Sequence, residues 1–511
     1  MTEKIGITIG ETTPTEVKFI STKTILRGQY VCLDLDNQVI MGMVTSVRRG
    51  NSILQENDNM MMPNDIEKIK EIVKEGDEYT TATVKLLGDT KSFRLPRKAL
   101  KPYTDIREAT INELSNVFSN NELQVGTLVS NNSVTVSLNA DEMVSKHLAI
   151  LATTGAGKSN TTSIILNELL RYHGCILLFD VHGEYRDITF SHGKVNKITP
   201  KVNVGDLRSD EFVNLIPFLA NAPDQRTIIR KAVDGTPYVS QYHSNYLEDI
   251  LKYIDNMSLV GFHNPDKARS GAKRKLEHAQ KRILKKLDGP DVPPLIEQIK
   301  PNCVNILDCS TIDDEVCNFL MTKLLHEILQ ARQNEKLDSF PKPRLEYPVF
   351  CVIEEAHTFA SKGSDNTNIS QSKDYVVYGP KHYIAKIAKE GRKFGVGLGL
   401  VSQRPYQVDP EILSQMNNWV VLKIIDPSDQ HYIQTCSDSL STEMVDELPN
   451  LNTGEAVITG PMTTLPCITQ INHFEGKAIG RNNEILKEWQ QCFEDGNNME
   501  SNDFPDWAEG Y

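Results

Sequence analysis

Up to about residue 138, apolar and polar side chains alternate in short runs. Residues 29–47 alternate on either side of Asp36-Asn37, and that pattern predicts a hairpin turning at the polar pair. Residues 80–87 alternate as another strand, and residues 126–130 and 133–138 flank Asn131-Asn132 as a further hairpin. Several short strands with few helical patterns predict a small β-barrel over residues 1–138. From residue 147 the pattern changes. Apolar runs at 147–152, 176–180, 304–308, 349–353, 396–402 and 419–424 are separated by stretches of helical periodicity. Continuous apolar strands alternating with helices predict a parallel sheet covered on both faces. Residues 209–300 break the alternation and read as a helical insertion, dividing the core into segments 139–208 and 301–480. Residues 481–511, acidic and Asn-rich with Trp489 and Trp507, read as a C-terminal arm.

The sharpest chemical signal is ATTGAGKS at residues 152–159, which follows the apolar strand and opens a helical run. This is the strand–loop–helix context of a phosphate-binding loop for ATP. Gly155 and Gly157 let successive backbone N–H groups turn toward phosphate oxygens, and the following helix adds its positive end. Lys158 is placed to reach the β- and γ-phosphates, and the Ser159 hydroxyl to ligate Mg²⁺. The candidate nucleotide-binding set is Thr154, Gly155, Ala156, Gly157, Lys158, Ser159 and Asn160. Ala152 stands where such loops usually begin with glycine, at the loosest position of the motif.

VFCVIEEAH at residues 349–357 is an apolar strand ending in two carboxylates. Glu354 is the candidate Mg²⁺ acid, acting through water, and Glu355 the group that orients and polarises an attacking water. The alternative is a helix N-terminus with two solvated acids. His357 reads as structural. LVSQRP at residues 400–405 ends another apolar strand, which makes Gln403 a candidate γ-phosphate sensor, because strand ends of a doubly wound sheet face one crevice. AKEGRKFG at residues 388–395 carries Arg392, either an arginine finger for a neighbouring subunit or a solvated helix end. DVHGEY at residues 180–185 ends the strand after the phosphate loop helix, and its acids serve either the crevice or a cap.

Composition narrows the classes. The 511 residues imply two or three domains, and no apolar run approaches the roughly 18 residues of a membrane span. Nine scattered cysteines without a CxxC pair, and no basic-then-apolar leader, predict a cytoplasmic protein with reduced thiols and no membrane association. The net charge of -13 argues against surface-wide DNA binding but leaves room for a locally basic channel. Residues 267–286 hold nine basic side chains with Leu276, Ala279, Ile283 and Leu287 as an apolar stripe. That segment is either a solvated face of a packed helix or a DNA contact. Residues 91–101 carry five more basic residues.

Taken in order, IGITIGETTPTEV, HLAILATTGAGKSNT, FDVHGEY, VIEEAHTF, AKEGRKFGVGLGLVSQRP, ILSQMNNWVVLKIIDPSD and FEGKAIG resemble the HerA family of archaeal and bacterial DNA translocases. The match covers nearly the whole chain and is closer to archaeal HerA than to FtsK. The resemblance implies an α/β fold with a RecA-like P-loop ATPase core, an N-terminal HAS-barrel-like domain and a helical insertion. It implies an ATP- and Mg²⁺-dependent helicase that moves double-stranded DNA as a homohexamer, with a NurA-type nuclease, in DNA end resection and double-strand break repair. Carried onto this chain, the catalytic set is Lys158, Glu354, Glu355, Gln403 and Arg392, with Ser159 and Glu354 at the metal. Candidate trans or DNA contacts are Lys146, Lys362 and Lys373, and Lys381 lies in the same polar stretch, which is longer than in relatives. Lys146 stands where relatives carry an arginine; it keeps the charge without the planar fork. Two other readings stay open at this level: the same motor serving an antiviral nuclease assembly, and a nucleotide-switched scaffold for a nuclease.

Overall fold

The computed structural model describes residues 3–35, 38–51, 78–92, 94–216, 219, 222–336, 345–363 and 379–476. The alternating N-terminal runs form six strands, β1 (Lys4–Ile9), β2 (Glu16–Ser21), β3 (Tyr30–Leu35), β4 (Gln38–Asn51), β5 (Glu78–Asp89) and β6 (Asp105–Glu108). They close into a barrel in the order β1-β2-β5-β4-β3-β6. Alternation puts Val17, Phe19, Val31, Leu33, Val84 and Ile106 inside. The expected hairpin is present as β3 against β4, while its turn, Asp36-Asn37, lies outside the described residues.

The barrel ends earlier than residue 138. A capping box on Thr110 and Glu113 starts a helix at Ile111–Phe118. The next hairpin, β7 (Leu123–Leu128) and β8 (Asn131–Leu138), leaves the barrel and joins the large sheet. It pairs there through β7 with the last strand, β17. Gly126 permits the junction, since a Cβ at that position would lie 2.1 Å from the Gln470 carbonyl oxygen.

The remaining strands are β9 (Leu148–Leu151), β10 (Cys175–Asp180), β11 (Lys194–Lys197), β12 (Cys303–Asp308), β13 (Val349–Ile353), β14 (Val396–Ser402), β15 (Asn418–Val421), β16 (Glu455–Thr459) and β17 (Cys467–Ile471). The sheet runs β11-β12-β10-β13-β14-β9-β15-β16-β17-β7-β8. It is parallel from β11 to β15 and antiparallel beyond. β9, β10, β13 and β14 are buried along their whole length, as strands covered on both faces must be. Their order sets the C-terminal ends of β10, β13, β14 and β9 side by side.

Helices between Ser209 and Gln298 fill the connection from β11 to β12. The basic stretch forms the helix Pro265–Ala279 and its continuation, with Leu276, Ala279, Ile283 and Leu287 buried. Three of its nine basic side chains form ion pairs inside the chain. Lys273 pairs with Asp255 at 2.8 Å, Arg282 with Glu315 at 3.0 Å and Lys286 with Asp313 at 2.6 Å. The packed-helix reading therefore holds for these residues. The barrel is fastened to the sheet's antiparallel side by Lys85–Glu443 at 2.9 Å and by the Tyr30 hydroxyl donating to the Pro466 carbonyl at 3.1 Å. No described helix is long and apolar enough to cross a membrane.

Candidate nucleotide site

The loop from β9 into the helix Lys158–Arg171 turns on Gly155 (φ +79°) and Gly157 (φ +110°), conformations that glycine adopts without Cβ strain. The Thr153 N–H donates to the Lys423 carbonyl at 3.0 Å, and the Gly454 N–H donates to the Ala156 carbonyl at 3.0 Å. The loop is thereby fixed to the segment just after β15 and to the turn before β16. Behind it, the first-turn N–H groups of the helix lack partners within the helix and carry its positive end.

Lys158 projects across the strand ends to the acids after β13. Its ammonium donates to Glu354 Oε2 at 2.9 Å and to Glu355 Oε1 at 2.8 Å. All three side chains are buried, at 7%, 3% and 4% exposure. Burial alone would lower the Lys158 pKa, but the adjoining carboxylates outweigh it and hold the ammonium above its ordinary value. Burial lifts Glu354 above the ordinary carboxylate range against the pull of Lys158. Burial acts on Glu355 too, but the bonds from Lys158 and Gln403 prevail and hold it below that range. Two carboxyl groups thus share one cation, and the proton affinity left over sits on Glu354.

Glu355 adopts φ +47°, a left-handed backbone that costs a non-glycine residue about 1–2 kcal/mol. Its carboxylate is held by neighbours on three elements besides Lys158. Gln403, just after β14, donates to Oε1 at 2.7 Å, and its own carbonyl accepts from the Thr154 hydroxyl at 2.6 Å. His357 Nδ1 lies 3.3 Å from Oε2, and His182 Nε2 lies 3.9 Å from Oε1. Glu354 has a second partner in Tyr185, whose buried hydroxyl donates to Oε1 at 2.5 Å. The Ser159 hydroxyl donates to Glu184 Oε2 at 2.5 Å.

Sequence reasoning left DVHGEY divided between crevice and cap, and the structure divides it residue by residue. Asp180 is the cap: its carboxylate accepts from the N–H groups of Gly183, Glu184 and Tyr185 at 2.8, 3.1 and 2.9 Å. Glu184 and Tyr185 enter the crevice. Tyr185 carried no signal in the sequence, and His357, read there as structural, touches Glu355. The side chain of Asn160 is engaged away from the crevice. Its amide donates to the Asn472 carbonyl and accepts from the Phe474 N–H, both at 2.8 Å, so the side chain holds the closing segment.

Arg392 lies exposed in the last turn of the helix Pro380–Phe394, before β14 begins, whereas Gln403 follows its end. That strand separates them by about 20 Å, so Arg392 is outside its own chain's site. Lys146 is at the same far edge, paired with Glu142 and leading into β9. Between them, His147 (φ +64°) accepts from the Leu398 N–H at 3.1 Å, and burial pushes its pKa down to about 4. Lys362 sits over the rings of Tyr406 at 4.1 Å and Tyr432 at 4.7 Å, and Lys381 pairs with Asp409 at 2.8 Å. Lys373 lies outside the described residues.

The donor set fits a nucleotide with a hard divalent cation. Glycine turns and helix N–H groups offer anion contacts, and the buried carboxylates exceed the cation among them by one charge. No cluster of three or more His, Cys, Asp or Glu side chains arranged to hold a metal occurs among the described residues. An ion here would therefore take its remaining ligands from phosphate oxygens and water.

Comparison with known proteins finds a family match for the barrel and for the sheet domain. Residues 5–92 match the HAS barrel domain, and residues 123–328 match the family described as Helicase HerA, central domain. The chain is 34% identical to the DNA double-strand break repair helicase HerA of Sulfurisphaera tokodaii, covering 96% of this chain and 97% of that one. It is also 34% identical to the protein of the same description from Saccharolobus solfataricus, covering 96% of each. Among solved structures, VirB4 of Thermoanaerobacter pseudethanolicus shares the fold at 14% identity and a TM-score of 0.50, covering 70% of this chain and 98% of that one. With a HAS barrel, a P-loop ATPase core and a third of its residues shared along nearly the full length of these relatives, this chain belongs to the HerA family of helicases and is an ATPase of that class.

Proposed function

We propose that this protein is an ATP-driven translocase of double-stranded DNA that works as a homohexamer with a NurA-type nuclease in end resection and double-strand break repair. The observation that carries the reading is the meeting of Lys158, Ser159, Glu354, Glu355 and Gln403 at one edge of the parallel sheet. Lys158 neutralises the β- and γ-phosphates, exchanging its carboxylate partners for phosphate oxygens. Ser159, and Glu354 through water, would hold Mg²⁺, which would supply charge neutralisation for the transferred phosphoryl group. Glu355 orients the attacking water and accepts its proton, and Gln403 couples that carboxylate to Thr154 on the loop. Two named relatives are double-strand break repair helicases, which supports DNA as the cargo. Exposed Lys91, Arg94, Arg97, Lys98 and Lys101 on the barrel supply a local basic surface despite the net charge of -13. The reading places the protein in the cytoplasm.

The test is ATP turnover with and without duplex DNA, on protein whose mass is measured in solution. Turnover that rises with duplex DNA in particles six times the chain mass is expected. Turnover indifferent to DNA would remove the cargo assignment.

In a ring, the edge bearing Arg392 and Lys146 is available to the next subunit's nucleotide. Arg392→Ala is expected to lower turnover by about a thousandfold, the scale of a lost arginine finger. Mixing it with Lys158→Ala subunits should restore part of the activity, because a mixed interface can join an intact Lys158 to an intact Arg392. Subunit exchange is followed by labelled chains in the same experiment. Exchange without any recovery would place Arg392 outside a trans role.

A further inference from the structure

The loop after β10 reaches the metal side of the site with two adjacent residues, and each grips a different group there. Glu184 accepts the Ser159 hydroxyl proton at 2.5 Å, and Tyr185 donates to Glu354 Oε1 at 2.5 Å. A hydroxyl whose proton is directed away presents its lone pairs to a cation, and a carboxylate with one oxygen fixed presents the other. We propose that Glu184 and Tyr185 are positioning residues of the magnesium site, Glu184 orienting the Ser159 hydroxyl and Tyr185 the Glu354 carboxylate that faces the ion through water. This rests on the nucleotide-site reading above and adds to it which residues hold the ligands in place.

The loop is built to hold that geometry. Asp180, 1% exposed, gathers three successive N–H groups of Gly183, Glu184 and Tyr185, so the two side chains leave a fixed backbone. Arg186, the next residue, donates to Asp308 at 2.9 Å and to Ser310 at 2.7 Å, fastening the loop to the end of β12. Tyr185 is itself 1% exposed. When phosphate oxygens replace the acids as partners of Lys158, Glu354 keeps the Tyr185 bond, just as Glu355 keeps Gln403 and His357. Outer-shell partners of this kind typically govern metal affinity by about 10–100-fold.

The test uses the full chain and a fluorescent, non-hydrolysable ATP analogue, titrated with Mg²⁺ and, separately, bound in excess EDTA. Tyr185→Phe keeps the ring and removes the hydroxyl. It is expected to raise the half-saturating Mg²⁺ concentration at least about tenfold, with EDTA-state affinity unchanged. Glu184→Gln retains an acceptor for Ser159 and should shift the Mg²⁺ midpoint less than Glu184→Ala. Should Tyr185→Phe fail to fold, the Glu184 pair decides the question, and equal midpoints for parent, Gln and Ala variants overturn the proposal. Equal weakening with and without Mg²⁺ overturns it as well, because that marks a packing role. A parent chain that binds the analogue with no Mg²⁺ dependence overturns the nucleotide-site reading and this one together. Parent dependence with unshifted variants overturns this one alone.

Discussion

Lys158→Ala is expected to lower ATP turnover at least about a hundredfold, because removing one preorganised charge contact at a reacting centre has that scale. The buried network gives this substitution a second effect. Lys158 is the ammonium shared by Glu354 and Glu355. In the parent its raised pKa contributes stability across the neutral range, lost only as pH climbs past the ordinary lysine value of about 10.4. Without it, Glu354, already lifted by burial, is pushed higher still. A folded carboxyl that keeps its proton after the unfolded chain has released it makes stability fall as pH rises above about 4.3. Melting temperature followed against pH should therefore decline more steeply for Lys158→Ala than for the parent. The solution mass should stay the same, since Lys158 lies within one chain. Turnover within about twofold of the parent would remove Lys158 from the phosphate site, and parallel melting profiles would refute its role as shared counter-ion.

Glu355→Gln is expected to bind ATP and stall, losing about a hundredfold to ten-thousandfold in turnover, the range for a lost general base. The substitution keeps size and keeps one oxygen for Gln403 or Lys158, so the left-handed turn at this position survives. The capacity to take a proton from water is lost, together with one of the two negative charges facing Lys158. Nucleotide affinity and phosphate release, measured on the same preparation, separate binding from chemistry. An active Glu355→Gln enzyme would mean that another group activates the water, and His357, 3.3 Å from the same carboxylate, is one candidate.

The distinction between Glu354 and Glu355 is electrostatic and is not visible in the letters EE. Two identical residues in sequence, both buried, differ because one is tied to Tyr185, and the other accepts from Gln403 and lies near two imidazoles. The same holds for basic residues. A run of lysines and arginines at 267–286 reads either as a solvated helix face or as a DNA contact, and Asp255, Asp313 and Glu315 come from other elements to meet three of them. A charge run records how much charge is present, and the fold decides how much is already compensated.

By itself the sequence determined what local physics controls. Period-two alternation marked the barrel strands, and fully apolar runs marked a sheet buried on both faces. The glycines of ATTGAGKS, placed between strand and helix, marked an anion cradle, because backbone angles and helix ends depend on neighbours in the chain. What the tertiary structure decided was everything that depends on which strands lie side by side. The order β10-β13-β14-β9 carries Tyr185, Glu354, Gln403 and Lys158 to one edge, though they are far apart in the chain. The same order sends Arg392 and Lys146 to the opposite edge and takes the hairpin at 123–138 away from the barrel. Strand order follows from the summed burial of many side chains, a quantity that no spacing between motifs records.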